Sequence, residues 1–127
     1  MDAPHLRLGR LGEAIAVRHL EGAGLEVVAR NWRCSDPSLR GEIDLVARDG
    51  RVLVVCEVKT RRRAAPGEPL VAVTPRKQRQ LRRLAAALVA AGAHTALGTR
   101  DLRFDVVAVS WPEGGGAAAV VHLREAF

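Results

Sequence analysis

Four charged residues of this chain carry the side chains that phosphate chemistry needs: Glu13, Asp44, Glu57 and Lys59. Three of them lie in one stretch, Gly41 to Arg63, where two β-rich runs flank Asp49-Gly50, a dipeptide favoured in two-residue hairpin loops. With Asp49 and Gly50 as the loop, Arg48 faces Arg51, Val46 faces Leu53, Asp44 faces Val55 and Glu42 faces Glu57. Period-two alternation then sends Glu42, Asp44, Glu57 and Lys59 to one side of the ribbon. Ile43, Leu45, Ala47, Val52, Val54, Cys56 and Val58 go to the other, which must be core. Asp44 and Glu57 become diagonal neighbours, about 7 Å apart between backbones. Two carboxylates at that spacing repel, and their pKa values separate unless a cation stands between them. A divalent ion held by one or two carboxylates, waters and phosphate oxygens resolves the conflict, so Mg2+ or Mn2+ is the expected cofactor. Lys59 stands just beyond the pair.

The elements that must position these groups follow from periodicity and punctuation. Residues 9–23 read as a helix ended by Gly24, with Glu13, Ala16, Val17 and Leu20 on one stripe. Glu13 thus sits on the inward face, where a carboxylate needs a partner. It is a further metal ligand, one half of a buried ion pair, or a helix-start charge favoured by the helix dipole. Residues 25–30 form a first strand, followed by Asn31-Trp32-Arg33. Trp32 fits the edge of a core, and Arg33 is placed to meet a phosphate. Residues 34–40 are a loop leading into the hairpin. Residues 61–73, with Arg61, Arg62 and Arg63 at their start, form a basic loop beside the acidic pair. Thr74-Pro75 opens a second helix to about Ala91, an N-cap followed by proline at the first helical position. Its apolar face carries Leu81, Leu84, Ala85 and Leu88. Gln78 and Lys77 extend that face toward the hairpin, while Arg76, Arg79, Arg82 and Arg83 lie off it. Residues 94–101 connect to a fourth strand over 102–109, where Asp105 reads as structural, paired with Arg103 or a neighbouring strand. Residues 118–124 form the last strand. The order is α-β-β-β-α-β-β, a small mixed β-sheet flanked by helices in an α/β class.

The bulk numbers bound the function. At 127 residues, 48% hydrophobic and 27% charged, the chain makes one globular domain. A net charge of +6 and a pI near 10.9 favour a polyanionic partner, nucleic acid first and DNA before RNA. Of 20 basic residues only Lys59 and Lys77 are lysine, and one of those two falls beside the acidic pair. Lysine is a compact, tunable charge, whereas arginine stays protonated and suits phosphate forks. The aromatic content of 3% argues against a base-stacking platform for single strands. No apolar run reaches the length of a membrane span, and the first residues lack the layout of an export signal. Cys34 and Cys56 have no metal-like spacing, which fits a reduced, cytoplasmic protein. No feature of the sequence decides between a monomer and a homodimer.

The ordered set Glu13, Gly41-Glu42-Ile43-Asp44 and Glu57-Val58-Lys59 resembles the PD-(D/E)xK nuclease superfamily. The whole chain, through Asn31-Trp32-Arg33, the 73–78 and 103–107 segments and the closing Ala126-Phe127, resembles the YraN family of small bacterial proteins. That resemblance implies a restriction-endonuclease-like fold. By position it implies Asp44 and Glu57 as metal ligands, Glu13 completing the site and Lys59 acting on the attacking water or the phosphate. Gln78 matches a helical polar position near such sites. Ile43 stands where the superfamily name has proline, and the 34–40 loop is longer than the pattern. The expected activity is a metal-dependent endonuclease on DNA, including branched or structured forms. A non-catalytic nucleic-acid-binding adaptor on the same fold is the alternative, and a protein-binding module with its carboxylates paired to arginines is a third.

Overall fold

The structure, a computed structural model, describes residues 4–62, 71–112 and 114–127. Arg63 and most of the basic loop that follows it lie outside these residues. The elements are α1 (Pro4–Gly22), β1 (Glu26–Trp32), β2 (Ile43–Asp49), β3 (Val52–Arg61), α2 (Pro75–Ala90), a short α3 (Ala93–Leu97), β4 (Asp101–Ser110) and β5 (Ala119–Leu123). This is the expected α/β order, with α3 added inside the connection between α2 and β4. The five strands form one sheet in sequence order. All neighbours are antiparallel except β3 and β4, whose parallel pairing is bridged by the α2–α3 crossover.

Strand β3 is central, and its run Leu53–Cys56 is buried on both faces. A continuous apolar run is what a strand covered on both sides requires. Helix α1 lays Ala16, Val17 and Leu20 on one face, over Leu45, Ala47, Val54, Cys56, Val107 and Val109. Helix α2 lays Leu81, Leu84, Ala85 and Leu88 on the other, over Val46, Leu53, Val55 and Phe104. Each large side chain buried this way contributes about 1.5–3 kcal/mol. The N-terminus of α2 is fixed as its sequence dictates: Pro75 begins the helix and the Thr74 hydroxyl accepts from the Lys77 N–H at 3.2 Å.

Two details of the central ribbon differ from the sequence expectation. The loop residues are Gly50 and Arg51, because Asp49 pairs with Val52. Asp49 remains in the strand since Arg103 and Arg124 hold its carboxylate at 2.9 and 3.3 Å, while Gly50 takes the left-handed φ of 59°. Every partner moves by two, which preserves the faces but brings Asp44 level with Glu57. The second difference is Ile43, which packs on the α2 side whereas Leu45 packs on the α1 side. Alternation therefore breaks at Asp44. Across from it, between the pairs Arg30–Leu45 and Trp32–Ile43, Asn31 adopts a left-handed φ of 51°. Breaks of this kind re-aim a side chain.

Candidate active site

The site begins where the β2–β3 ladder stops. Its last pair is Leu45 with Cys56. Beyond it the Val58 N–H donates to the Asp44 carboxylate at 2.9 Å instead of to a strand carbonyl. The Asp44 and Glu57 carboxyl groups lie within hydrogen-bonding reach of each other. Burial raises the pKa of Asp44, although the hydrogen bonds from Val58 and Glu57 restrain it. Burial and then the adjacent Asp44 charge push Glu57 up to about 8, against the opposing charges of Lys77 and Lys59. Two carboxyls this close retain a proton between them to higher pH than an ordinary glutamate does.

One atom of this pair is left over. Among the described residues Glu57 Oε2 is buried with no hydrogen-bond partner, and the nearest cation, Lys77 Nζ, stands 3.8 Å away, beyond hydrogen-bonding range. A buried acceptor without a partner costs about 1–3 kcal/mol. Two converging hard oxygens with one unsatisfied lone-pair set suit a small divalent ion such as Mg2+ or Mn2+. They do not suit zinc, which prefers nitrogen and sulfur donors. Among the described residues no group of three His, Cys, Asp or Glu forms a complete cage. An ion here would take two carboxylates and complete its shell with water and phosphate oxygens.

Glu13 approaches from α1. Gly12 lets the helix pack tightly, because a Cβ there would stand 2.2 Å from the Thr60 hydroxyl on β3. Burial raises the pKa of Glu13. The hydrogen bond from Asn31 opposes this, and the charges of Asp44 and Glu42 add to it. Glu13 is thus in the electrostatic field of Asp44 and Glu42, and among the described residues it does not join Asp44 and Glu57 in the expected three-carboxylate metal cluster. The residue that organises this rim is Asn31, whose Nδ2 donates to Glu42 Oε1 at 3.1 Å and reaches Glu13 Oε2 at 3.4 Å. Sequence reading passed over Asn31 in favour of its neighbours. The available signal was an asparagine at a strand end, a residue type that tolerates left-handed backbone.

The remaining expected residues divide. Arg33 is spent on Glu42 at 3.0 Å. Lys59 donates its Nζ to the Ala72 carbonyl, so it borders the pair while bonding away from it. Gln78 donates to the Val73 carbonyl at 2.9 Å, tying down the segment before α2. Lys77, expected to extend the α2 face toward the hairpin and to meet phosphate, stands 3.8 Å from Glu57 Oε2. Arg76 and Lys77 line one cleft, whereas Arg62 lies apart near Leu8 and Leu11 of α1. Arg61 sits at the end of β3, where its carbonyl accepts from the Trp111 N–H. Trp32 is half-buried at the edge of the α2-side core. Asp105 is structural: fully buried, it is held by Arg103 at 2.8 Å and His122 at 2.8 Å. Burial pushes the Cys56 thiol far above its ordinary range, which removes it as a nucleophile or ligand.

Residues 12–109, from the helix glycine beneath Glu13 to the end of β4, match the model of the uncharacterised protein family UPF0102. The chain belongs to that family. It is 47% identical over 127 residues to a UPF0102 protein of Acidothermus cellulolyticus, covering 94% of this chain and 92% of the relative. A UPF0102 protein of Beutenbergia cavernae is 54% identical over 118 residues, covering 92% of each chain. Another, from Streptomyces coelicolor, is 50% identical over 117 residues, covering 92% of this chain and 85% of its own. The matched span of this UPF0102 chain contains Glu13, Asp44, Glu57, Lys59 and Gln78. Among the described residues no helix is long and apolar enough to cross a membrane.

Proposed function

We propose that this UPF0102 protein is a divalent-metal-dependent phosphodiester hydrolase of the PD-(D/E)xK kind, acting on DNA in the cytoplasm, branched or structured forms included. The observation that carries this reading is the forced meeting of Asp44 and Glu57 with Glu57 Oε2 buried and unpartnered. Burying a carboxyl pair that must hold a proton, with one acceptor left unpaired, costs stability, and a hard cation would relieve both costs. Asp44 and Glu57 would hold the ion, with Glu13 supporting from α1. When bound, Mg2+ or Mn2+ lowers the pKa of its water and withdraws charge from the scissile phosphate.

The chain's own groups do the rest. Asn31 fixes Glu42 and restrains Glu13, so the acidic rim keeps its shape. Lys59, on release from the Ala72 carbonyl, would swing its ammonium to the phosphate oxygens as charge builds there. Lys77 adds a second cation on the α2 side of Glu57. The arginines hold backbone without reading bases.

The test is incubation of supercoiled plasmid and of junction DNA with Mg2+ or Mn2+, comparing the native protein with Asp44→Ala and Lys59→Ala. Metal-dependent nicking that both substitutions abolish supports the reading. Cutting that survives both, or none by the native protein, removes its support. One observation favours the adaptor alternative: Lys59 is engaged with a carbonyl instead of facing the carboxylates. An adaptor would bind DNA equally well as Asp44→Ala and cut nothing in either form.

A further inference from the structure

Beside the acidic pair, on the α2 side, lies a cleft of about 750 Å³. One wall is the loop at residues 38–40 and the other is the first half of α2. The Gln80 side chain joins the walls by donating from Nε2 to the Arg40 carbonyl at 3.1 Å. Among the described residues, five of the lining side chains are cationic, Arg40, Arg76, Lys77, Arg79 and Arg83, and none is acidic or aromatic. Among the described residues, Arg40, Arg76, Arg79 and Arg83 have no ion-pair partner. The contrast with Arg82, one step away, is informative: its guanidinium is committed to the face of Phe104 at 4.8 Å. The cleft arginines are held apart from such sinks, on the helix row 76, 79, 83.

Resting on the nuclease reading, we propose that this cleft is the track for one sugar–phosphate strand of a DNA duplex next to the reactive phosphate. Three features carry the assignment. Four unpartnered guanidinium groups with no carboxylate among them form a site for repeated phosphates, which arginine forks grip in bidentate fashion. From Arg76 to Arg83 the helix advances about 10 Å, the axial rise of about three nucleotides of a B-form strand. Lys77 lines the cleft and also stands 3.8 Å from Glu57 Oε2, so a strand lying in the cleft reaches the acidic pair. No described side chain lining the cleft is aromatic, which argues for a duplex, because unpaired bases are held by stacking. Gln80, the amide most able to read a base edge, is occupied by the Arg40 carbonyl. Grip without base reading makes the track indifferent to sequence.

The experiment measures binding of the full chain in EDTA, which stops cleavage, to a short fluorescent DNA duplex, its single strand, and the matching RNA duplex. Salt is varied across about 50–200 mM. The Arg79→Gln/Arg83→Gln double variant is compared with Arg18→Gln/Arg100→Gln, which removes the same charge from exposed positions on α1 and beside the hairpin loop. Thermal melts verify folding, and the single variants replace the double if it melts early. The cleft variant should lose about tenfold or more in duplex affinity, with the salt slope shallower by about two, while the control changes little. Equal, small losses in both variants overturn the track and leave the nuclease reading standing. Tighter binding of the single strand or of the RNA duplex overturns the assignment to a DNA duplex. No duplex binding at low salt overturns the track and the DNA reading together.

Discussion

A Cβ at Gly12 would stand 2.2 Å from the Thr60 Oγ1, so α1 rests on β3 with no room for a side chain between them. That contact sets the depth at which Glu13, the next residue, faces Asp44. Gly12→Ala should force the helix outward at a cost of about 1–3 kcal/mol, as overpacking does. Gly9→Ala, where nothing among the described residues lies within 4 Å, should instead gain stability of up to about 1 kcal/mol from helix propensity. Denaturant melts of the two variants check this. Unchanged stability in Gly12→Ala would show that the contact does not position the helix.

The Asp44–Glu57 pair gives a pH signature. The folded pKa of Glu57 is raised to about 8, above its unfolded value. Its contribution to stability is therefore fully present below the ordinary glutamate range and is lost as pH rises through about 8. Glu57→Gln removes the penalty. In EDTA it should be more stable than the native protein near pH 8, with the difference closing toward pH 4. Melts at both pH values decide it, and a native protein equally stable at pH 8 contradicts the buried-pair description.

The network around Asp105 should behave in the opposite sense. Burial alone would raise its pKa, but the hydrogen bonds from Arg103 and His122 outweigh that and lower it. Its stabilisation is present above the ordinary aspartate range and is lost as pH falls below it. Asp105→Asn should cost about 3–5 kcal/mol at neutral pH, because it leaves the largely buried Arg103 without its main partner. It should also flatten the acid limb of the stability curve. Mn2+ affinity per folded molecule should not change, since Asp105, although level with Cys56 beside Glu57, alternates to the α1 face of the sheet while Glu57 alternates to the α2 face. A lost metal affinity in a folded Asp105→Asn would show that the network reaches the site.

Much of this was legible in the chain. Alternation in residues 43–58 announced a ribbon with one core face and one mixed face, and Thr74-Pro75 announced where α2 begins. Both signals are local, and local propensity and tertiary packing agree there. The misread features depend on distant partners. Asp49 stays in its strand because Arg103 and Arg124, some 54 and 75 residues away, hold it. Ile43 turns to the α2 side at a break marked by the left-handed Asn31 on another strand. Nothing in Asn31-Trp32-Arg33 says that the asparagine will bridge Glu13 and Glu42. The basic cleft forms from a loop and a helix joined by Gln80 and Arg40, 40 residues apart.

The two lysines have different expected roles. Lys77 is nearest Glu57 and opposes its proton, so Lys77→Met should raise the Glu57 pKa further and shift any Mn2+ binding to higher pH. Lys59 bonds to the Ala72 carbonyl, so Lys59→Met should leave metal affinity nearly intact while abolishing cleavage. Parallel metal titrations and nicking assays separate the two. Identical effects from both substitutions would contradict this division.

Calorimetric titration of the metal-free protein with Mn2+ at about pH 8 is the most direct probe of the acidic pair. One site per chain is expected, with release of the Glu57 proton, and it should vanish in both Asp44→Ala and Glu57→Ala. A native protein that takes up no Mn2+, or variants that bind it as well as the native chain, would leave Glu57 Oε2 buried for no catalytic reason and contradict a metal-dependent hydrolase.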